Sequence, residues 1–534
     1  MSKKKKEDKI SELIREKGIK KISPPCEYFG RCGGCRYQDI TCEDQLELKA
    51  AEVKALFADE AGTPFPDDPA GTWRFGGILK SPLERGYRNK MEFSFGDERK
   101  GGPLALGLHR KKSYYDIVNL RSCLICPEDM NIIRNAVLDY FAPLYEEGRI
   151  DYASTKTHEG YLRHLLLRRA ENTGEILICL VTAAPEKSAK LKSGEEGAII
   201  SGFVKAVLSI EDKLNGRIAG ICHIYNDALS DVVKSDRTDI LYGRDYIYEE
   251  ICGLRFKISV FSFFQTNSKG AEVLYGTAKD YARECGFGPA GSGAKPVIFD
   301  LYCGTGTITQ LMSPAASEVY GIEIVEEAVA AAKENAALNG IENVHFIAGD
   351  VMKILCSEEG KSLPGPDLII LDPPREGVHP KALGRILGYG CENIIYISCK
   401  AKSLAGELAA FKNAGYSLVK AQCVDMFPQT ANVETVILLS QRKADAYVEV
   451  DLELSDLNLT SAETKATYEE IKAYIKEKYD LNVSNLYIAQ IKEECGILER
   501  ENYNLPKGEG GKKPHCPIVK RDAILDTFRH FGMI

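Results

Sequence analysis

The chain has no apolar run of bilayer-spanning length, no apolar segment behind its N-terminal lysines and no excess of positive charge. Each absence excludes something. A membrane-spanning helix needs about 20 consecutive apolar residues, and the opening MSKKKKEDKI lacks the hydrophobic stretch of a secretion signal. A cytoplasmic protein without a membrane partner is therefore expected. With a formal net charge of −8, any nucleic-acid partner has to be held by local basic patches rather than by overall attraction. Seventeen cysteines without a secretory context do not read as a disulfide framework, and point to metal, cluster or catalytic use of a few of them. The length of 534 residues and 44% hydrophobic content suit a globular protein of two to four domains.

What is present gathers at two strand ends. Residues 367–371 and 394–397 are short apolar runs that stop abruptly at Asp372-Pro373-Pro374-Arg375 and at Ser398-Cys399-Lys400. Buried parallel strands have this pattern, and open α/β sheets place their sites at the carboxyl ends of such strands. A thiol there, beside Lys400, is a candidate nucleophile, because a neighbouring positive charge favours the thiolate. Residues 297–301, 319–323 and 344–348 are further strands, alternating with helices such as 325–339, as in a doubly wound sheet. After the first of them only Gly304 and Gly306 fill the glycine turn; Thr309 takes the third glycine's place in a dinucleotide fingerprint, which weighs against NAD. A Gly-x-Gly turn with Glu323 ending the next strand suits S-adenosylmethionine. The glycines let backbone approach the methionine part, and the carboxylate accepts the ribose hydroxyls. Further on, Glu434 opens a last apolar strand, where burial would prepare it as a base.

Nearer the N-terminus, Cys26-Glu-Tyr-Phe-Gly-Arg-Cys32-Gly-Gly-Cys35 gathers three cysteines with glycines that let backbone fold round a metal. Cys42 would complete a local zinc site, whereas Cys123 or Cys126 would complete a cluster that ties in a distant segment. Residues 87–95, 106–112 and 161–169 interleave Arg, Lys, His and Tyr, which suits phosphate contact and base stacking on a nucleic-acid surface. After residue 444 an acidic stretch (445–456) precedes two amphipathic helices that resemble a helix-turn-helix, then a basic loop with Lys507, Lys512, Lys513 and His515.

In order, the motifs Cys26-x5-Cys32-Gly-Gly-Cys35, Tyr87-Arg-Asn-Lys90, Leu162-Arg-His-Leu165, Phe263-Phe-Gln265-x-Asn267, Asp300-Leu-Tyr-Cys-Gly304, Asp372-Pro-Pro-Arg375, Ile397-Ser-Cys399 and Met426-Phe-Pro…Val-Glu434 resemble the RNA uracil-5-methyltransferase family. The likeness is to its 23S rRNA (uracil-5-)-methyltransferase branch, which carries an iron–sulfur cluster, and runs from about Cys26 to Leu439. It implies an α/β fold in which a Rossmann-like methyltransferase sheet (251–443) follows a cysteine segment (26–72) and a central α+β RNA-binding domain (73–250); the basic arm (1–25) and the helical extension (444–534) lie outside the shared region. It further implies that Gln265, Tyr302, Glu323 and Asp372 hold S-adenosylmethionine, that Cys399 is the nucleophile and Glu434 the base. By the same resemblance Cys26, Cys32, Cys35 and Cys123 hold a [4Fe-4S] cluster, and a monomer acts on RNA, with 23S rRNA favoured over tRNA because the family's bacterial tRNA branch lacks the cysteine cluster. Asn432 stands where the family usually has His. Methylation of an exocyclic amine is the rival chemistry, but such enzymes usually present Asn-Pro-Pro-aromatic where this chain has Asp372-Pro-Pro-Arg375.

Overall fold

A computed structural model describes residues 14–57 (except 16), 73–229, 235–287, 295–441, 468–495 (except 482) and 517–533 (except 532). Most of the basic arm, the acidic stretch 445–456 and the basic loop at 507–515 lie outside these residues. Contacts divide the chain into two units, 1–443 and 444–534.

In the first unit, Arg74–Leu79 (β1) precedes seven strands of one sheet: Lys90–Gly96 (β2), Ala105–His109 (β3), Ile117–Asn119 (β4), Leu162–Arg169 (β5), Glu175–Thr182 (β6), Arg217–Tyr225 (β7) and Arg237–Gly243 (β8). They are ordered β4-β3-β2-β5-β6-β7-β8, with only the β6–β7 pair parallel. That pair is joined through the helix Glu196–Leu208, as a parallel connection requires a crossover. Strand β6 is buried along its whole length, and its apolar residues divide between two cores with period two. Ile176, Ile178 and Leu180 pack with Phe141 and Phe203 of the helices Glu128–Glu146 and Glu196–Leu208. Leu177, Cys179 and Val181 face the opposite way.

A hairpin, Tyr246–Ile251 (β9) and Leu254–Ser259 (β10), leads to the helix Ser268–Glu284 and then to the second sheet. Its strands are Val297–Leu301 (β11), Glu318–Glu323 (β12), Val344–Ala348 (β13), Leu368–Leu371 (β14), Asn393–Ser398 (β15), Tyr416–Val424 (β16) and Glu434–Gln441 (β17). The order is β1-β16-β17-β15-β14-β11-β12-β13, and β17 alone runs against its neighbours. The expected α/β class with a Rossmann-like sheet is thus present, and the strand order reverses between β11 and β14, the place where such sheets open a crevice. Ile298, Ile370, Ile395 and Ile397 share a core with Leu177 and Val181 of the first sheet and with Leu274 and Ala278 of the helix between them. The two sheets therefore lean on one helix. On the other face Phe299, Leu301, Ile369 and Tyr396 pack with Val53 and Phe57 of the helix Cys42–Phe57, so the N-terminal segment covers the second sheet.

The second unit holds the helices Tyr468–Tyr479, Asn485–Glu494 and Ile518–His530, packed round Ile471, Ile475, Ile488, Ile491, Ile524 and Phe528. Among the described residues no helix is long and apolar enough to cross a membrane.

Candidate active site

The chain leaves β11 through a turn in which Tyr302 (φ 69°), Gly304 (φ 54°) and Gly306 (φ 74°) all take the left-handed conformation. At Gly306 space decides as well: a Cβ there would lie 2.5 Å from the Phe346 ring. The turn points the Gly304 N–H at Glu323 Oε2 (3.1 Å), while Val325 N–H donates to Oε1 (3.0 Å). Glu323 is thereby fixed at the tip of β12 with lone pairs to spare on both oxygens. The ring of Phe263, 69% exposed, stands beside Gly304. The sequence marks it as part of the Phe263-Phe-Gln265-x-Asn267 motif, but nothing in an apolar run tells which ring is left in solvent.

The loop that carries Gln265 is held from the first sheet. Asn89 Nδ2 donates to Gln265 O and to Ser268 Oγ (both 2.9 Å), its N–H donates to Thr266 O (2.9 Å), and Arg168 Nε donates to Val260 O (3.0 Å). Asn267 caps the following helix through Gly270 N–H (2.9 Å) and donates to Met426 O (2.9 Å). Tyr87 OH reaches Pro428 O (2.9 Å). These contacts correct the reading of 87–95 and 161–169 as a nucleic-acid face at Tyr87, Asn89, His164 and Arg168, which are buried. The physical reason is that loops 260–268 and 426–430 lie outside any ladder, so their buried carbonyls need side-chain donors.

Ser398 and Thr435 are partners in the antiparallel β15–β17 pair. Cys399 follows the one and Glu434 precedes the other, so the two flank the last pair of the ladder on adjacent strands. Asp372 leaves the tip of β14 with its N–H on Leu301 O (3.3 Å). Burial pushes the Glu434 carboxyl up to about 7 against the pull of Arg375. The Asp372 carboxyl is raised well above its usual range by burial, then by Glu434 and Asp300. Cys399 is raised too, by burial first and then by the negative charges of Glu434 and Asp372, with Arg375 opposing. The expected role of Lys400 needs correcting. Lys400 is exposed, and the cation acting on the thiol is Arg375; successive side chains at a strand end diverge, so the sequence neighbour turns away. Arg375→Ala is accordingly expected to slow iodoacetamide alkylation of Cys399 at pH 8, read on the Cys399 peptide by mass spectrometry. An unchanged rate would remove Arg375 from the account.

Beneath the turn, Asp300 is fully buried, accepts from Thr309 Oγ1 (2.6 Å) and is pushed up to about 7 by burial. The ordinary values are 3.8 for this group and 4.5 for Glu434, so between about 4 and 7 the native state binds more protons than the unfolded chain. Stability falls with rising pH where that holds. Asp300→Asn should therefore flatten the loss of stability between pH 5 and pH 8 seen in urea unfolding; an equally steep loss in the variant would refute this origin.

Cys26, Cys32, Cys35 and Cys123 line one small cavity walled by Tyr28, Leu108 and Ile125, and Gly34 N–H donates to Cys32 Sγ (3.3 Å). Cys126 lies behind them, its hydrogen bond bringing Cys123 down to about 6. Cys42 is elsewhere, bonded to Glu84 Oε2 (3.2 Å) and Gln429 Nε2 (3.6 Å). Four thiols, apolar walls and a backbone N–H on sulfur are the donor types an iron–sulfur cluster takes, but among the described residues no group of three or more His, Cys, Asp or Glu side chains stands close enough together to hold a metal ion, so the match is one of chemistry and not of geometry.

The residues after Cys35 grip the loop that leads to Glu434. Arg36 and Tyr37 N–H both donate to Gln429 O (2.8 and 3.1 Å), and Gln45 and Gln429 exchange two 3.0 Å hydrogen bonds. Lys49, buried, pairs with Asp425 (2.6 Å) and donates to Phe427 O (3.1 Å). No sequence signal announces this clamp, because its two halves lie hundreds of positions apart.

A model of the tRNA (Uracil-5-)-methyltransferase family matches residues 228–442. An uncharacterized RNA methyltransferase of Clostridium tetani is 44% identical over 434 residues, covering 81% of this chain and 87% of that protein. The chain belongs to the RNA uracil-5-methyltransferase family. Another RNA methyltransferase, from Chlorobaculum tepidum, is 33% identical over 439 residues, 79% of this chain and 84% of that one. In fold this methyltransferase is similar to the Pyrococcus abyssi tRNA (uracil-54, C5)-methyltransferase, crystallised with S-adenosyl-L-homocysteine. The TM-score is 0.56 at 23% identity, over 76% of this chain and 86% of that one.

Proposed function

We propose that this RNA methyltransferase forms 5-methyluridine in 23S rRNA with S-adenosylmethionine as methyl donor, acting as a cytoplasmic monomer. The observation that supports the reading is the end of the β15–β17 ladder, where Cys399 and the buried Glu434 flank its last pair, Ser398 and Thr435. Carbon 5 of uracil is a weak nucleophile. Cys399 Sγ adds to C6, and the electron pair released from the C5–C6 bond makes C5 an enolate carbon that takes the methyl group, leaving S-adenosylhomocysteine. Glu434 then accepts the C5 proton, the C5–C6 double bond re-forms and the Cys399 thiolate leaves. Arg375 favours the anionic form of both groups.

For the donor, Glu323 would accept the ribose hydroxyls, with Tyr302 and Asp372 just past the ends of β11 and β14 and Gln265 on the loop before the helix Ser268–Glu284. For a [4Fe-4S] cluster, Cys26, Cys32, Cys35 and Cys123 would supply the four thiolates, and the bound cluster would cross-link residues 26–35 to 123. The clamp on loop 425–430 starts one residue after Cys35, so order in the cysteine segment reaches the base. A tRNA substrate is the second reading, favoured by the matched family's description and by the Pyrococcus abyssi enzyme.

Anaerobically purified protein incubated with tritiated S-adenosylmethionine and unmodified 23S rRNA or tRNA, followed by nucleoside analysis, separates these. Label in 5-methyluridine of rRNA is the expected result. Label in tRNA alone selects the second reading, and label on an exocyclic amine overturns the thiol-adduct chemistry.

A further inference from the structure

The turn between β3 and β4 is unlike the rest of this acidic chain. Lys112 adopts the left-handed conformation (φ 68°), and Ser113 Oγ accepts the N–H groups of Tyr115 (3.3 Å) and Asp116 (3.2 Å), so the tip has a defined shape. Two tyrosines project from it, Tyr114 62% and Tyr115 51% exposed. Tyr114 stacks on His109 with ring centres 5.9 Å apart and planes at 25°, and Lys156 Nζ stands 4.1 Å above the Tyr115 ring. Lys111 N–H donates to Arg31 O (2.7 Å), which brings the cysteine segment against the tip. Arg31 and Arg110 pair with Glu98 and Asp116, whereas Lys111 and Lys112 are exposed and make no ion pair among the described residues.

An apolar docking surface would surround such rings with aliphatic side chains. Here Lys156 stands over the Tyr115 ring, and the exposed Lys111 and Lys112 precede the two tyrosines in the turn. Alternating π faces and positive charges match a strand that alternates bases and phosphates, where bases stack on aromatic rings and ammonium groups follow the backbone. Position points the same way. The stretch from Arg31, which touches the tip, to Arg36, which touches Gln429, is five residues long. At no more than about 3.6 Å per residue, plus one contact at each end, the tip lies within roughly 30 Å of the loop that leads to Glu434.

We propose that Tyr114 and Tyr115, with Lys111, Lys112 and Lys156, hold single-stranded RNA that flanks the target uridine. Five more residues separate Gln429 from Glu434, so the tip lies within roughly 50 Å of the base, a distance that a straight stacked strand at about 3.4 Å per nucleotide spans in roughly fourteen nucleotides. The distance part rests on the reading of Cys399 and Glu434 as the reacting pair.

Ultraviolet cross-linking of the wild-type protein to in vitro transcripts of 23S rRNA and tRNA, with the cross-linked peptides and nucleotides mapped, tests the contact without altering the fold. Adducts at Tyr114 or Tyr115 are expected, on nucleotides fewer than about fifteen from the methylated position. In parallel, the Tyr114→Ala, Tyr115→Ala pair should raise Kd and KM for RNA by about tenfold or more with kcat nearly unchanged. Lys111→Ala with Lys112→Ala should lower the slope of log affinity against log salt by about 1.4, two single-strand phosphate contacts. Cross-links confined to other surfaces, or variants that bind both RNAs as the wild type does, overturn the proposal. If the wild type forms no 5-methyluridine, the reading of the reacting pair fails, while cross-links and affinities still decide whether the tip holds RNA.

Discussion

Glu434→Gln is expected to leave the enzyme joined to its RNA. Glutamine keeps the shape of the side chain but cannot accept the C5 proton, so addition of Cys399 and methyl transfer proceed while release does not. Labelled RNA should then migrate with the protein on a denaturing gel, and turnover should fall by about 10²–10⁴-fold, the usual contribution of a positioned base. Cys399→Ala should abolish turnover and give no adduct. In the wild type the release step should quicken as pH rises through about 7, where Glu434 ionises, and Glu434→Gln should lose that limb. Burial already disfavours the charge, so the substitution should not lower stability. Normal turnover by Glu434→Gln, or adduct formation by Cys399→Ala, would defeat the mechanism.

The second large effect concerns stability. Lys49 and Asp425 are only 1% and 5% exposed, and their 2.6 Å pair joins the helix Cys42–Phe57 to the loop before Glu434. Lys49→Met leaves a buried carboxylate without its counter-charge, which costs about 3–5 kcal/mol when a buried pair is broken from one side. Lys49→Met combined with Asp425→Leu should recover most of that, since removing both charges also removes the cost of burying them. Urea unfolding of the three proteins measures this, and a loss below about 1 kcal/mol in the single variant would show the pair to be solvated.

Much of the second sheet was legible in the sequence. Strands β11, β14 and β15 are buried on both faces and so appear as unbroken apolar runs, and the Gly304–Gly306 turn and Glu323 follow from where those runs end. Glu434 was recognisable as the start of a strand, but that it comes to the strand end of Cys399 depends on β17 running antiparallel, which no local pattern encodes. Arg168 and Asn89 misled for a definite reason. A basic or amide side chain looks the same in sequence whether it meets phosphate or a buried carbonyl, and only the fold brings the carbonyls of loop 260–268 beneath it. Strand β1 was illegible on other grounds: it holds two glycines, and at Gly76 a Cβ would lie 2.1 Å from the Gln422 side chain.

That strand has a consequence for how the protein is made. Strand β1 pairs in parallel with β16, Arg74 beside Lys420, and the helix Cys42–Phe57 rests on the same late-arriving sheet. A ribosome adding roughly 5–20 residues per second needs on the order of 20–70 s to traverse the approximately 350 positions between them. For that interval the helix Cys42–Phe57 and β1 emerge without the surface they cover, while the sheet β2–β8 has all its strands available and can form first. Nascent chains halted before β16 should therefore protect the β2–β8 region from protease while β1 and the N-terminal helix stay cleavable, which makes the earliest-synthesised segment among the last to become native.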